Sequence, residues 1–165
     1  MKSKFKAVFI CIVVFAVSAC TTPNQHESND MKNKIHSLAD GSVLKVTLAD
    51  NDLNLVVANS PIAKAEGLSD KKEIPEDGMI FFFNEPDTLS FWMKDMNFPI
   101  DMIWIAGDRV VGIEKNVPAP EPGTKITDLK TYNSNEKADI VVEVEAGATE
   151  KLNIVPGSIL KIKLK

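Results

Sequence analysis

Lys94, Asp101 and Glu143 are the residues whose types and settings could do chemistry, because each charge lies among apolar or aromatic neighbours. An unpaired charge there is costly, so each needs a partner or a cleft open to water. Asp101 and Glu143 could form the acid and base of a glycoside hydrolase, provided their separation suits one of the two known geometries. The sequence does not fix that separation. Lys94 and Asp101 close the two ends of the connection Asp95 to Pro99, so flanking strands paired as a hairpin would let the two charges meet across its mouth. They would then be a structural ion pair or a polar anchor inside an aromatic cleft. Ser90 with Lys94 would be a nucleophile and base, but i and i+4 on a strand are roughly 13 Å apart, too far for direct activation.

The same stretch carries most of the aromatics, in GMIFFFNEPDTLSFWMKDMNFPIDMIWI from Gly78 to Ile105. Alternation sets Phe91 and Met93 on one face and Trp92 with Ser90 and Lys94 on the other, while Ile100, Met102 and Trp104 share a face. Most of these side chains are expected in the core. Trp92 and the tip pair Met96 and Phe98 are the expected exceptions, since Met and Phe displayed beside charges can grip a partner.

Positioning these residues falls to short strands. Val43 to Leu48 alternates at period two, the turn-like Asp50-Asn51-Asp52 follows, and Leu53 to Ala58 completes a hairpin. Ser60-Pro61 caps and starts a short helix that stops at Gly67. Gly78 to Phe83 is apolar on both faces, as a central strand would be. Thr88 to Lys94 and Ile100 to Ala106 read as the next hairpin, and Gly107-Asp108 turns into Arg109 to Glu114. Asp139 to Glu145 and Ser158 to Leu164 alternate again, with a helical turn between them at Ala148 to Leu152. The expectation is a mainly β domain, an antiparallel, partly closed barrel or sandwich of about seven short strands with two short helices. Residues 117–138 hold three prolines and little periodicity and are expected to form a functional flap.

Residues 1–19 read as a signal peptide: Lys2, Lys4 and Lys6, then the apolar run Ala7 to Val17, too short for a spanning helix. Val17-Ser18-Ala19-Cys20 resembles the lipobox of bacterial lipoproteins, which implies cleavage before Cys20 and acylation, including palmitate, on that residue. The protein is thus expected to be exported and held to a membrane by lipid at Cys20, on the periplasmic side of the outer membrane if the cell has two. Cys11 would leave with the signal, so neither a disulfide nor thiol chemistry is expected. Cleavage removes three Lys and no acid, taking the formal charge from -4 to -7, which disfavours nucleic acid as a partner. Residues 20–41 are polar and read as a flexible tether before a domain at 42–165. His26 and His36 fall in that tether, which argues against a histidine-based site, and no metal or cofactor is expected.

Several pieces together resemble the DUF192 family of small exported or membrane-attached prokaryotic domains: Gly67-Leu68, Gly78 to Phe83, Phe91-Trp92-Met93-Lys94, Pro99 to Ile103, Pro118-Ala119-Pro120 and Val142 to Gly147. The resemblance implies a β-rich fold and brings no activity, substrate or cofactor. Lys64, Lys94, Asp101 and Glu143 fall on the family's motif. Family members usually carry Arg at the position of Lys64, Met at that of Ser69, and Asn-Thr at that of Asp95-Met96. A point charge at Lys64 cannot reproduce the Arg fork.

These readings converge on a non-catalytic binding domain for an envelope component, with Lys64, Trp92, Lys94, Asp101 and Glu143 at a cleft covered by the 117–138 loop. An envelope hydrolase acting on sugar or cell-wall material through Asp101 and Glu143 is the first alternative. A structural or assembly role through strand edges is the second.

Overall fold

The computed structural model describes residues 25–164. The signal segment and Cys20 lie outside them. The first hairpin forms where alternation predicts it: β1 (Val43–Leu48) buries Leu44, Val46 and Leu48 and pairs antiparallel with β2 (Asn51–Ala58). Its turn is Ala49-Asp50, one residue earlier than composition suggests, with φ of 48° and 62° at the two positions. Two successive positive φ values match the twist of flanking strands.

Ser60 accepts from the Ala63 N–H at 3.1 Å, Pro61 fills the first turn, and α2 (Pro61–Glu66) ends at Gly67 with φ of 50°. This helix belongs to a crossover, so the next strand, β3 (Met79–Asp87), returns parallel to β2 with Val56 opposite Met79. A purely antiparallel sheet is therefore ruled out by one central pair, because a connection long enough to carry a helix brings the chain back at the same end.

Beyond β3 the sheet is antiparallel. β8 (Ala138–Glu145) lies between β3 and β5 (Ile100–Ala106), and β6 (Arg109–Val117) follows β5 around the Gly107-Asp108 turn. β9 (Leu160–Ile162) pairs with β1, giving the order β6-β5-β8-β3-β2-β1-β9. The sheet curls as a half-barrel. Hydrogen bonds from Val110 N to Ser158 O at 2.9 Å and from Leu160 N to Asp108 O at 2.7 Å draw its two edges together at one end.

The small strand β4 (Ser90–Trp92) does not form the expected hairpin with β5. It pairs with β7 (Thr131–Asn133), Phe91 opposite Tyr132, in a separate two-stranded sheet. The segment 117–138, expected as a flap without structure, thus contributes β7 and a 3-10 turn at Ile126–Asp128. A further difference lies upstream: α1 (Gln25–His36) occupies most of the expected tether. Ile35 and Leu38 pack on the core, and Asn59 Nδ2 donates to Ile35 O at 2.9 Å. Among the described residues no helix is long and apolar enough to cross a membrane.

Each face of the large sheet has its own apolar layer. Leu48, Leu55, Ile80, Phe82, Ile103, Val142 and Val144 fill one. Met79, Phe81, Ile100, Met102, Trp104 and Val141 fill the other, covered by Leu68, Leu89, Met93, Met96 and Tyr132. That second layer holds the site.

Candidate functional site: a buried carboxyl in an aromatic pocket

Alternation along β8 points Val142 and Val144 into the first layer and Glu143 into the second. Met79 of β3 and Met102 of β5 flank Glu143 in register, so sulfur-bearing apolar chains stand on both sides of the acid. Gly78 makes this packing possible: its φ is 145°, and an added Cβ would lie 2.1 Å from Glu143 O. Glu143 is only 5% exposed, and among the described residues no hydrogen bond offsets the burial of its carboxyl. Burial pushes its pKa up from 4.5 to about 8.

The carboxyl meets a cavity of about 40 Å³. Phe81 and Phe91 form aromatic walls, edge to face with ring centroids 5.3 Å apart. Trp92, 49% exposed, stands at the mouth, and the chain from Lys64 to Ser69 supplies the remaining side. Ser69 Oγ donates to Lys94 O at 2.8 Å and Asp70 N to Asp95 O at 2.7 Å, fastening that side to the turn after β4. Asp95 takes this turn with φ of 54°.

Lys64 lines the same pocket, yet its ammonium sits 4.7 Å from the Phe83 ring centroid. Partial burial lowers its pKa, and the field of Asp40 opposes that shift. No ion pair joins it to Glu143 among the described residues. Three of the five expected site residues, Lys64, Trp92 and Glu143, therefore share one pocket.

The other two do not. Lys94 bonds to Asp95, which raises its pKa, and borders a neighbouring groove with Pro120 and Pro122. The expected ion pair with Asp101 is absent because β4 and β5 are not partners. Asp101 is fully buried on the opposite face of the sheet. Its carboxylate accepts from Asn116 N at 2.7 Å, Gly147 N at 3.1 Å, Thr149 N at 3.0 Å and Thr149 Oγ1 at 2.6 Å. Burial pushes its pKa up, but these donors outweigh burial and hold it below the ordinary carboxylate value. Asp101 thus caps α3 (Ala148–Lys151), whose Gly147 cap position has no side chain to do so. The pairing of Asp101 with Glu143 as acid and base is corrected accordingly, since the sheet separates them.

Two further expectations change. Met96 is buried and lines the pocket, and Phe98 packs on the same layer, so this pair does not display a tip. No residue of 117–138 lines the Glu143 pocket; that segment walls the neighbouring grooves. Phe81, Phe91 and Gly67 to Ser69 were not singled out as site residues by sequence. Their signal was the Gly67-Leu68 and aromatic motif pieces, which read as core. Among the described residues no cluster of three or more His, Cys, Asp or Glu side chains could hold a metal.

A family model described as DUF192, Uncharacterized ACR, matches residues 44–162. The chain belongs to the DUF192 family. Every site candidate except Cys20 falls in that span, as does the whole large sheet except the first residue of β1. The DUF192 fold recurs in a solved structure from Sinorhizobium meliloti 1021, described as a "putative transcription regulator", with a TM-score of 0.65 and 28% identity over 76% of this chain and 98% of that one. A protein of unknown function from Novosphingobium aromaticivorans DSM 12444 is similar at a TM-score of 0.60 and 26% identity, over 77% and 95% of the two chains. No curated protein matches the sequence.

Proposed function

We propose that this DUF192 domain is a non-catalytic binding module, carried on an exported, lipid-anchored chain, which captures an envelope component through the pocket at Glu143. One observation carries the reading: a buried carboxyl without a protein partner opens on a small cavity that an exposed Trp overhangs. A buried polar group without a partner destabilises the fold, so its retention at a cavity points to a ligand that satisfies it. Binding is favoured over hydrolysis by the pair first considered, because Asp101 is committed to its four donors on the other face and leaves Glu66 as the second acid on the pocket. Acidic composition favours a ligand other than nucleic acid.

Capture from envelope extract by the wild type, Trp92→Ala and Glu143→Gln tests the site. Loss with both variants is expected, and equal recovery by all three rejects it. The anchor is tested separately: mass spectrometry of the mature chain should find acyl groups on Cys20, and Cys20→Ala should release the protein from membranes.

A further inference from the structure

Among the four buried polar or charged residues, Asp101, Ser134, Glu143 and Thr149, Glu143 stands apart. Asp101 is saturated by donors, Thr149 Oγ1 donates to Asp101, and Ser134 Oγ accepts from Leu89 N at 2.9 Å. Among the described residues no donor reaches the Glu143 carboxyl, which faces the cavity. The nearest cation on the same pocket, Lys64, is drawn to the Phe83 ring and to the field of Asp40.

Size narrows what can reach the acid. A cavity of about 40 Å³ lies far below the roughly 300–1,000 Å³ of pockets that enclose a whole small molecule, so only the end of a ligand reaches the acid. A sugar ring is too large for the inner space. Anions are disfavoured once the carboxyl ionises. Aromatic walls favour a cation and the alkyl stem behind it, and Phe81, Phe91 and Trp92 provide them.

Resting on the proposed binding role of this pocket, we infer that the group it takes is a primary ammonium on a short alkyl stem, paired with the Glu143 carboxylate and with its stem against Trp92 and Phe91. Glu143 is mostly protonated at pH 7 in the free protein, with its pKa raised to about 8; the ligand keeps its ammonium protons, and the carboxyl proton passes to solvent on binding. The titratable groups that face the same cavity are Lys64 and Glu66 of α2, whereas β3, β4 and β5 present Phe81, Phe91, Trp92 and Met102.

The test uses the full mature chain and n-butylammonium as probe, by calorimetry in buffers of different ionisation enthalpy. Binding should release close to one proton at pH 7, and affinity should rise about tenfold per unit from pH 6 to pH 7 and level off above pH 8. n-Butanol and tetramethylammonium should bind at least about tenfold more weakly. Glu143→Gln should abolish proton release, and Trp92→Ala, which leaves the buried layer intact, should weaken affinity while keeping that release. Affinity that falls with rising pH, or equal binding of n-butanol, overturns the inference. If n-butylammonium fails to bind while capture from extract still depends on Glu143 and Trp92, the ligand class is wrong and the site stands. If capture is also independent of them, the site itself falls. Nα-acetyl-lysine methylamide and phosphoethanolamine then separate a side-chain amine from a lipid head group as source, and binding of neither overturns the inference.

Discussion

Asp101 and Glu143 lie on adjacent strands one position apart in register, Asp101 opposite Val144 and Met102 opposite Glu143, and face opposite sides of the sheet. One acid is surrounded by donors and the other by apolar side chains. Their pKa values are accordingly driven in opposite directions, one down and one up.

Removing the Asp101 carboxylate strands the Thr149 N–H and hydroxyl in the interior and frees the half-buried N–H groups of Asn116 and Gly147. Each buried donor left unsatisfied costs about 1–3 kcal/mol, so Asp101→Ala should lose at least about 3 kcal/mol in urea unfolding. Because the folded pKa lies below the ordinary 3.8, the stabilisation is present above that value and fades as pH falls through the folded pKa.

Glu143 gives the opposite pH dependence. Its pKa rises from 4.5 to about 8 on folding, so between those limits the folded state holds a proton that the unfolded state releases. Stability should therefore fall as pH climbs from about 4.5 to about 8 and then level off. Glu143→Gln should flatten this segment of the curve in thermal unfolding scans, and should be more stable than wild type at pH 9. A wild-type curve that is flat from pH 5 to 8 contradicts the buried, unpartnered carboxyl.

Gly78→Ala should be among the most damaging single substitutions, since its Cβ would meet Glu143 O at 2.1 Å and its φ is 145°. A loss of more than about 2 kcal/mol is expected. Gly123→Ala, with φ of 84° but nothing within 4 Å, isolates the conformational part and should cost only about 1–2 kcal/mol. Equal losses for the two in denaturant melts would show that the close approach of Gly78 to β8 is not tight.

Trp104 has a buried Nε1 with no hydrogen-bond partner, while its ring packs edge to face on Phe91 at 5.5 Å. Trp104→Phe removes the unsatisfied N–H and keeps aromatic contact, so its cost in stability should be under about 1 kcal/mol. Trp104→Ala, which leaves a cavity, should cost about 3–5 kcal/mol. A large loss with Phe would reveal a role for the indole nitrogen.

The legible parts of the fold were local ones. β1 and β8 announce themselves by alternation, and α2 by Ser60, Pro61 and Gly67, because a cap, a first-turn proline and a left-handed stop act on neighbouring residues. The β4–β7 pair was illegible: two three-residue strands about forty residues apart carry too short a pattern to compete with the nearer hairpin partner. That single mispairing produced the expected Lys94–Asp101 contact and the displayed Met96–Phe98 tip. α1 hid in a polar stretch whose apolar anchors, among the described residues, are Ile35 and Leu38. At the site, Glu143 could be named from its apolar setting, but whether it shared a side with Asp101 depended on the register of β5 against β8, where a slip of one residue reverses the answer.

The bonds that join the start of β6 to the segment before β9 bear on how the molecule meets its own kind. An open strand offers its backbone as a template on which another chain can grow, whereas here the two outermost strands of the large sheet satisfy each other at one end. At that end, recruitment of a second copy by strand addition would first require breaking the seam. Neighbours crowded on a surface can therefore touch there without fusing into a continuous sheet.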